Sequence, residues 1–213
     1  MAAAQALQSK PSYVFKVVLV GEVGVGKTST FVRLKDNRFF DAKSTIGIDK
    51  YEFTQEVNGV VVKIDLWDTA GSEKYRTLTG NYYHSAKACV YVYDITESSS
   101  LYGLSAWIAD AQRFARDHLK FLVGNKTDLD DDRDVTKSTA DTFAREKGFS
   151  HCAEISAKMG DNVVELFRCL AEKLVANFAP EVSSSGGAAR HSGGGATLRG
   201  DEAPVSAPQK KCC

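Results

Sequence analysis

Apolar positions along the chain alternate between short continuous runs and helical spacing. "YVFKVVLVG" (Tyr13–Gly21) is a β-branched run that stops at glycine, and "KTSTFVRLKDN" continues with helical character. "DKYEFTQEVNG" and "VVVKIDLW" flank Asn58-Gly59, a dipeptide suited to a two-residue hairpin turn. "KACVYVYD", "KFLVGN" and "FSHCAEIS" are further buried-strand runs, and helical stretches lie near Ser100–Arg116 and Lys137–Lys147. From Asn162 to Phe178, Val163, Phe167, Leu170, Leu174 and Phe178 share one helical face. Alternating strands and helices predict an α/β fold with a mostly parallel sheet covered on both sides and one antiparallel hairpin strand. Ligands of such sheets bind beyond the carboxyl ends of the strands.

After Phe178 the pattern stops. Residues 180–211 are mostly Ser, Gly, Ala and Pro, too poor in large apolar side chains to offset the entropy of ordering. The expected organisation is an N-terminal extension over 1–12, a globular domain over 13–178 and a disordered tail over 179–213. A formal net charge of 0 gives no reason to expect nucleic acid as a partner. No apolar run reaches the ~20 residues of a membrane span. The N-terminus lacks the basic start and long apolar centre of a signal peptide, so a cytosolic chain is expected. Cys89, Cys152 and Cys169 sit in apolar segments as small hydrophobes, whereas Cys212 and Cys213 are the last two residues.

"GEVGVGKT" (Gly21–Thr28) matches G-x-x-x-x-G-K-[ST] between a strand and a helix. Its glycines let backbone N–H groups converge on phosphate, Lys27 would neutralise the β- and γ-phosphates, and the Thr28 hydroxyl would ligate Mg²⁺. The loop leaves the base open, since ATPases and kinases also use it. "NKTD" (Asn125–Asp128) makes the choice. A carboxylate at a strand end accepts from guanine N1–H and the 2-amino group, a donor pair that adenine lacks. Asn125 would brace the loops and the Lys126 stem would cover the ring. In "SAK" (Ser156–Lys158), the Ala157 N–H would reach the guanine 6-oxo group.

With these motifs in place, the chain resembles the Ras-superfamily small GTPases from about Val14 to Phe178, and within them the Rab family. "STIGID" (Ser44–Asp49), "KIDLWDTAG" (Lys63–Gly71), "YYHSA" (Tyr82–Ala86), Val92–Thr96 and the terminal Cys-Cys carry the likeness. The resemblance implies a sheet of about six strands with about five helices and a GTP/GDP cycle that regulates vesicle traffic. It assigns nucleotide contacts to Gly21, Val23, Gly24, Val25, Gly26, Lys27, Thr28, Ser29, Phe39, Thr45, Asp68, Gly71, Asn125, Lys126, Asp128, Ser156, Ala157 and Lys158. Phe39 would lie against the guanine. Mg²⁺ would be held by Thr28 and Thr45, with Asp68 acting through water. Lys27, the Gly71 N–H and position 72 would serve hydrolysis. Partners implied are an exchange factor, a GTPase-activating protein, a dissociation inhibitor or escort protein, and effectors on a face including Ile46, Gly47, Lys50, Trp67 and Tyr82. The protein itself is expected to be a monomer. Two geranylgeranyl groups on Cys212 and Cys213 would anchor it to the cytosolic face of a membrane, since two lipid chains hold where one is marginal.

Three positions depart from the family pattern. Ser72 stands where relatives carry a Gln that orients the attacking water. Val23 places a β-branched side chain in the phosphate loop where many relatives have a small one. Both predict slow intrinsic hydrolysis, from a starting point of only about 10⁻⁴ per second in Ras-type proteins. The alternative is a GTP-held binding module with negligible hydrolysis. Lys50 replaces an aromatic of the effector face, on the strand face shared with Glu52 and Thr54, and Trp67 falls with Lys63 and Asp65. That substitution predicts altered partner choice, because burying a cation against an apolar partner is costly.

Overall fold

The computed structural model describes residues 11–40, 48–69, 80–115 and 117–179. Within them six strands form one sheet in the order β2-β3-β1-β4-β5-β6. The strands are β1 Tyr13–Val20, β2 Ile48–Val57, β3 Val60–Thr69, β4 Ala86–Asp94, β5 Leu119–Asn125 and β6 His151–Glu154. β2 runs antiparallel to β3, and the other neighbours are parallel. The helices are α1 Lys27–Asp36, α2 Gly80–Tyr83, α3 Ser98–Phe114, α4 Lys137–Glu146 and α5 Val163–Phe178. No described helix is long and apolar enough to cross a membrane.

Most strand runs behave as their composition predicts, but β6, expected to be buried, is half-buried because it lies at the sheet edge. Val17, Val18, Leu19 and Val20 are fully buried because both sheet faces are covered. Period-two alternation sends Val17 and Leu19 into one core with α1 and α5, and Val18 and Val20 into a second core with α3 and α4. The hairpin turn forms at Asn58 and Gly59, with φ of 52° and 81°, the left-handed pair that a type I′ turn requires. α5 buries Val163, Phe167, Leu170 and Leu174 as its spacing predicts, with Phe178 partly buried. α3 starts two residues before the predicted Ser100 and ends at Phe114.

α2 escaped the sequence reading, since four residues are too few to show a helical period. Tyr83 at its end is nevertheless fully buried in the second core. Cys89 and Cys169 are buried and Cys152 half-buried, all as free thiols.

The sheet order places the functional end. β1 lies between β3 and β4, so the chain leaves β1 to one side through α1 and later returns to the other. This reversal opens a crevice at the carboxyl end of β1, where the Gly21–Thr28 loop begins.

Candidate functional site

The Gly21–Thr28 loop is curled by its glycines. Gly26 has φ of 94°, and a Cβ there would come within 2.2 Å of Asn125 Nδ2. A Cβ on Gly21 would come equally close to the Val92 carbonyl, 2.2 Å away. Neither position admits another residue without the loop moving. Lys27 is almost fully buried, and its ammonium donates to the carbonyls of Gly21 at 2.8 Å and Glu22 at 2.6 Å. Burial pushes its pKa down to about 8, against the opposing pull of the Asp68 and Glu22 charges.

At the next position the Thr28 hydroxyl donates to Asp68 Oδ2 at 2.6 Å. Asp68 is fully buried at the end of β3. Its Oδ1 has no hydrogen-bond partner among the described residues. Burial raises its carboxyl to about 6, opposed by the Thr28 bond and the Lys27 charge. A buried carboxylate oxygen without a donor, beside a threonine hydroxyl, is a pair of hard oxygen ligands of the kind Mg²⁺ takes. The residues present fit that ion.

On the other side of the loop, Asn125 ends β5 and joins two motifs. Its Nδ2 donates to the Val25 carbonyl at 2.8 Å, and its Oδ1 accepts from the Ala157 N–H at 3.0 Å. The Ala157 N–H assigned to guanine is thus engaged by Asn125 here, and a base would share or replace that acceptor. Lys126 takes a left-handed backbone, φ 73°, and its ammonium pairs with Asp94 at 2.6 Å. Asp128 Oδ1 accepts from the Ser156 hydroxyl at 2.6 Å, while Lys158 Nζ stands 3.7 Å from Oδ2. Ser29 donates to the Phe40 carbonyl at 2.8 Å. Gly24, Gly26, Ser29, Phe39, Asn125, Lys126, Asp128, Ala157 and Lys158 line one cavity of about 240 Å³. Val23 is half exposed. Thr45, Ile46, Gly47, Gly71, Ser72, Cys212 and Cys213 lie outside the described residues.

Three contacts of this site were not read from the sequence. Arg33 on α1 donates to the Ala157 carbonyl at 2.9 Å and to the Lys158 carbonyl at 2.5 Å, tying the third motif to the first. Asp94 anchors Lys126. Glu22 is held by Trp107. Their separations along the chain are long, so no local spacing could reveal them.

Residues 16–176 match the family model described as Ras family. The chain belongs to that family. Among curated relatives, the GTP-binding protein YPTM2 of Zea mays is 38% identical over 175 residues, 81% of this chain and 86% of its own. The Ras-related protein RABD2a of Arabidopsis thaliana is 37% identical over 171 residues, 79% of this chain and 84% of its own. The GTP-binding protein YPTM1 of Zea mays is 43% identical over 157 residues, 73% and 75% respectively. These likenesses place the chain in the Rab branch of the small GTPases. It is accordingly a Rab-like GTPase that binds GTP and GDP with Mg²⁺ and hydrolyses GTP, in a branch whose members regulate vesicle traffic.

The sheet also carries a polar face. Across the β2–β3 register Lys50 opposes Trp67, Glu52 opposes Asp65 and Thr54 opposes Lys63. Lys50 pairs with Glu52 at 2.5 Å and Asp65 at 3.1 Å, and Lys63 pairs with the same two carboxylates. The like charges of Glu52 and Asp65 are thereby offset. Trp67 is half-buried and packs against the second core, with the Lys16 ammonium 4.4 Å above its ring and that of Lys50 at 5.8 Å. Tyr82, on α2, is half-buried.

Proposed function

We propose that this Rab-like chain is a nucleotide-controlled membrane switch whose GTP form is long-lived. The observation that carries the site assignment is Asn125, which joins the phosphate loop to the Ser156–Lys158 segment around one cavity. In this reading Gly21–Ser29 wrap the phosphates, Lys27 leaves its carbonyl partners to meet them, and Asp128 selects guanine. Thr28, Thr45 and Asp68 hold Mg²⁺, which supplies neutralisation of phosphate charge when bound. Phe39, Lys126 and Lys158 flank the base, and the Gly71 N–H touches the terminal phosphate. Residues 13–178 form the switch domain, and 179–213 tether it through lipids on Cys212 and Cys213 to the cytosolic face of a membrane. Competition against retained GDP tests the site: GTP displaces it and ATP does not. Equal displacement by ATP would remove the base-selection argument.

Slow turnover follows from Ser72 and Val23. A serine hydroxyl is several bonds shorter than a glutamine amide, and the half-exposed Val23 would crowd the side from which a water or an activating residue approaches. Exchange factor, activating protein, dissociation inhibitor and effectors complete the cycle.

The Lys50–Glu52–Lys63–Asp65 quartet supports an effector face with its own partner preference. An aromatic at position 50 would offer apolar area beside Trp67, whereas Lys50 offers a charge already held by two carboxylates. Lys50→Phe is expected to change the set of proteins captured by the GTP-loaded chain and leave its melting temperature unmoved, since exposed ion pairs contribute little. Identical captured sets for parent and variant, compared by affinity capture and mass spectrometry, would contradict this.

A further inference from the structure

Glu22 lies inside the phosphate loop, between Gly21 and Val23, yet a carboxylate is an odd side chain beside a phosphate site. Its position explains how it is tolerated. The Trp107 indole N–H, on α3, donates to Glu22 Oε1 at 2.9 Å. Trp107 is 2% exposed, so this donor is presented from the packed second core and not from a mobile surface chain. Gly103 sits one helical turn before Trp107 on the same face of α3. A Cβ there would approach Glu22 Oε1 to 3.1 Å and Cγ to 3.4 Å. The glycine therefore forms a notch in which the Glu22 side chain lies. The backbone carbonyl of the same residue accepts from Lys27 Nζ at 2.6 Å.

We infer that Glu22 and Trp107 form a strut that fixes the phosphate loop to α3 and thereby positions Lys27 and the loop N–H groups for nucleotide retention. The inference rests on the reading of Gly21–Thr28 as the phosphate loop. Glu22 is a positioning residue, since it acts through the loop. Two features support a strut over a side chain that merely satisfies a buried indole. The contact spans 85 residues of sequence and joins the loop to a different core element. It is also accommodated by a glycine on α3, Gly103, where a side chain would press on Glu22. Asn125 braces the loop at Val25 from one side, and the Glu22–Trp107 contact ties it to α3 from another.

The test is the dissociation rate of a fluorescent GDP from the full chain and from Glu22→Ala, Glu22→Gln, Trp107→Phe and the Glu22→Ala/Trp107→Phe pair. Loss of one charge-assisted hydrogen bond is expected to speed release roughly tenfold in Glu22→Ala and in Trp107→Phe. Glu22→Gln keeps an acceptor oxygen and is expected to stay within about twofold of the parent. The double variant is expected to release GDP no faster than the faster single one, the signature of a shared contact. The acceleration is expected to persist in excess EDTA, because the strut acts on the loop rather than on Mg²⁺. Glu22 is not a core residue, so Glu22→Ala folds even where Trp107→Phe is impaired, and thermal melts of each separate the two effects. Unchanged release in Glu22→Ala, additive effects in the pair, or a Glu22→Gln as fast as Glu22→Ala would each overturn the strut while leaving the site reading intact. A parent chain that retains no GDP would overturn the site reading and the strut together.

Discussion

Asp128→Ala is expected to weaken GDP binding by about a thousandfold and to erase the preference for guanine over adenine. The carboxylate is held at the mouth of the cavity by the Ser156 hydroxyl, 2.6 Å from Oδ1, with Oδ2 3.7 Å from Lys158 Nζ. Its side chain is 11% exposed, so the acceptor is largely removed from water before a base arrives. Guanine presents two adjacent donors to such an oxygen pair. Hydrogen bonds to a charged group contribute about 1.5–3 kcal/mol each, so losing two corresponds to roughly two to four decades of affinity. Alanine also leaves the base donors unpaired in a confined site, which is what makes the discrimination steep. Fluorescent GDP titration of parent and variant, repeated with ADP, measures both effects. A variant within tenfold of the parent that still rejects ADP would show that guanine is chosen elsewhere.

Asp68→Asn is expected to separate stability from function. In the nucleotide-free chain, burial holds the Asp68 carboxyl at about 6 against an ordinary 3.8. The folded state therefore binds this proton more tightly than the unfolded state. The associated stability is present below the unfolded value, falls as pH rises from about 4 to 6, and is gone above that. Keeping the carboxylate ionised at neutral pH costs on the order of 3 kcal/mol. Asparagine removes this cost and still accepts from Thr28, but its new N–H₂ takes the place of Oδ1, which has no partner among the described residues, and returns about 1–2 kcal/mol. The nucleotide-free variant is therefore expected to melt higher than the parent at pH 7 and to lose the slope between pH 4 and 6. It is also expected to lose most of the slowing of GDP release by Mg²⁺, because the carboxylate charge is absent. Melting curves against pH, and GDP release with and without Mg²⁺, check the pair. A variant that melts lower at pH 7 or keeps the full Mg²⁺ effect would contradict it.

The contrast between these residues and the Glu22 strut shows what a sequence discloses. The curl of Gly21–Thr28 was legible because the motif sets its glycines at fixed offsets between a strand and a helix, and Gly21, Gly24 and Gly26 all take positive φ. Asp128 and Ser156 were singled out because each stands in a short polar motif two or three residues beyond a strand, after Asn125 and Glu154. The hairpin at Asn58-Gly59 was legible because only a few residues accept its left-handed backbone. α2 was not, being too short for a period, although Tyr83 makes it part of the core. Glu22 with Trp107, and Arg33 with the carbonyls of Ala157 and Lys158, were not legible either. Partners 85, 124 and 125 residues apart meet only when the sheet brings α1, α3 and the strand ends together. The polar face was half legible: alternation placed Trp67 with Lys63 and Asp65, but the Lys16 ammonium over its ring comes from β1.

The persistence of the GTP form is tested most directly by single-turnover GTP hydrolysis with Mg²⁺ on the full chain, beside Ser72→Gln and Val23→Ser. Hydrolysis in the parent is expected below the roughly 10⁻⁴ per second of Ras-type proteins, with a faster rate in at least one variant. A parent that matches that rate, with neither substitution changing it, would contradict the account and make this chain an ordinary self-timing switch.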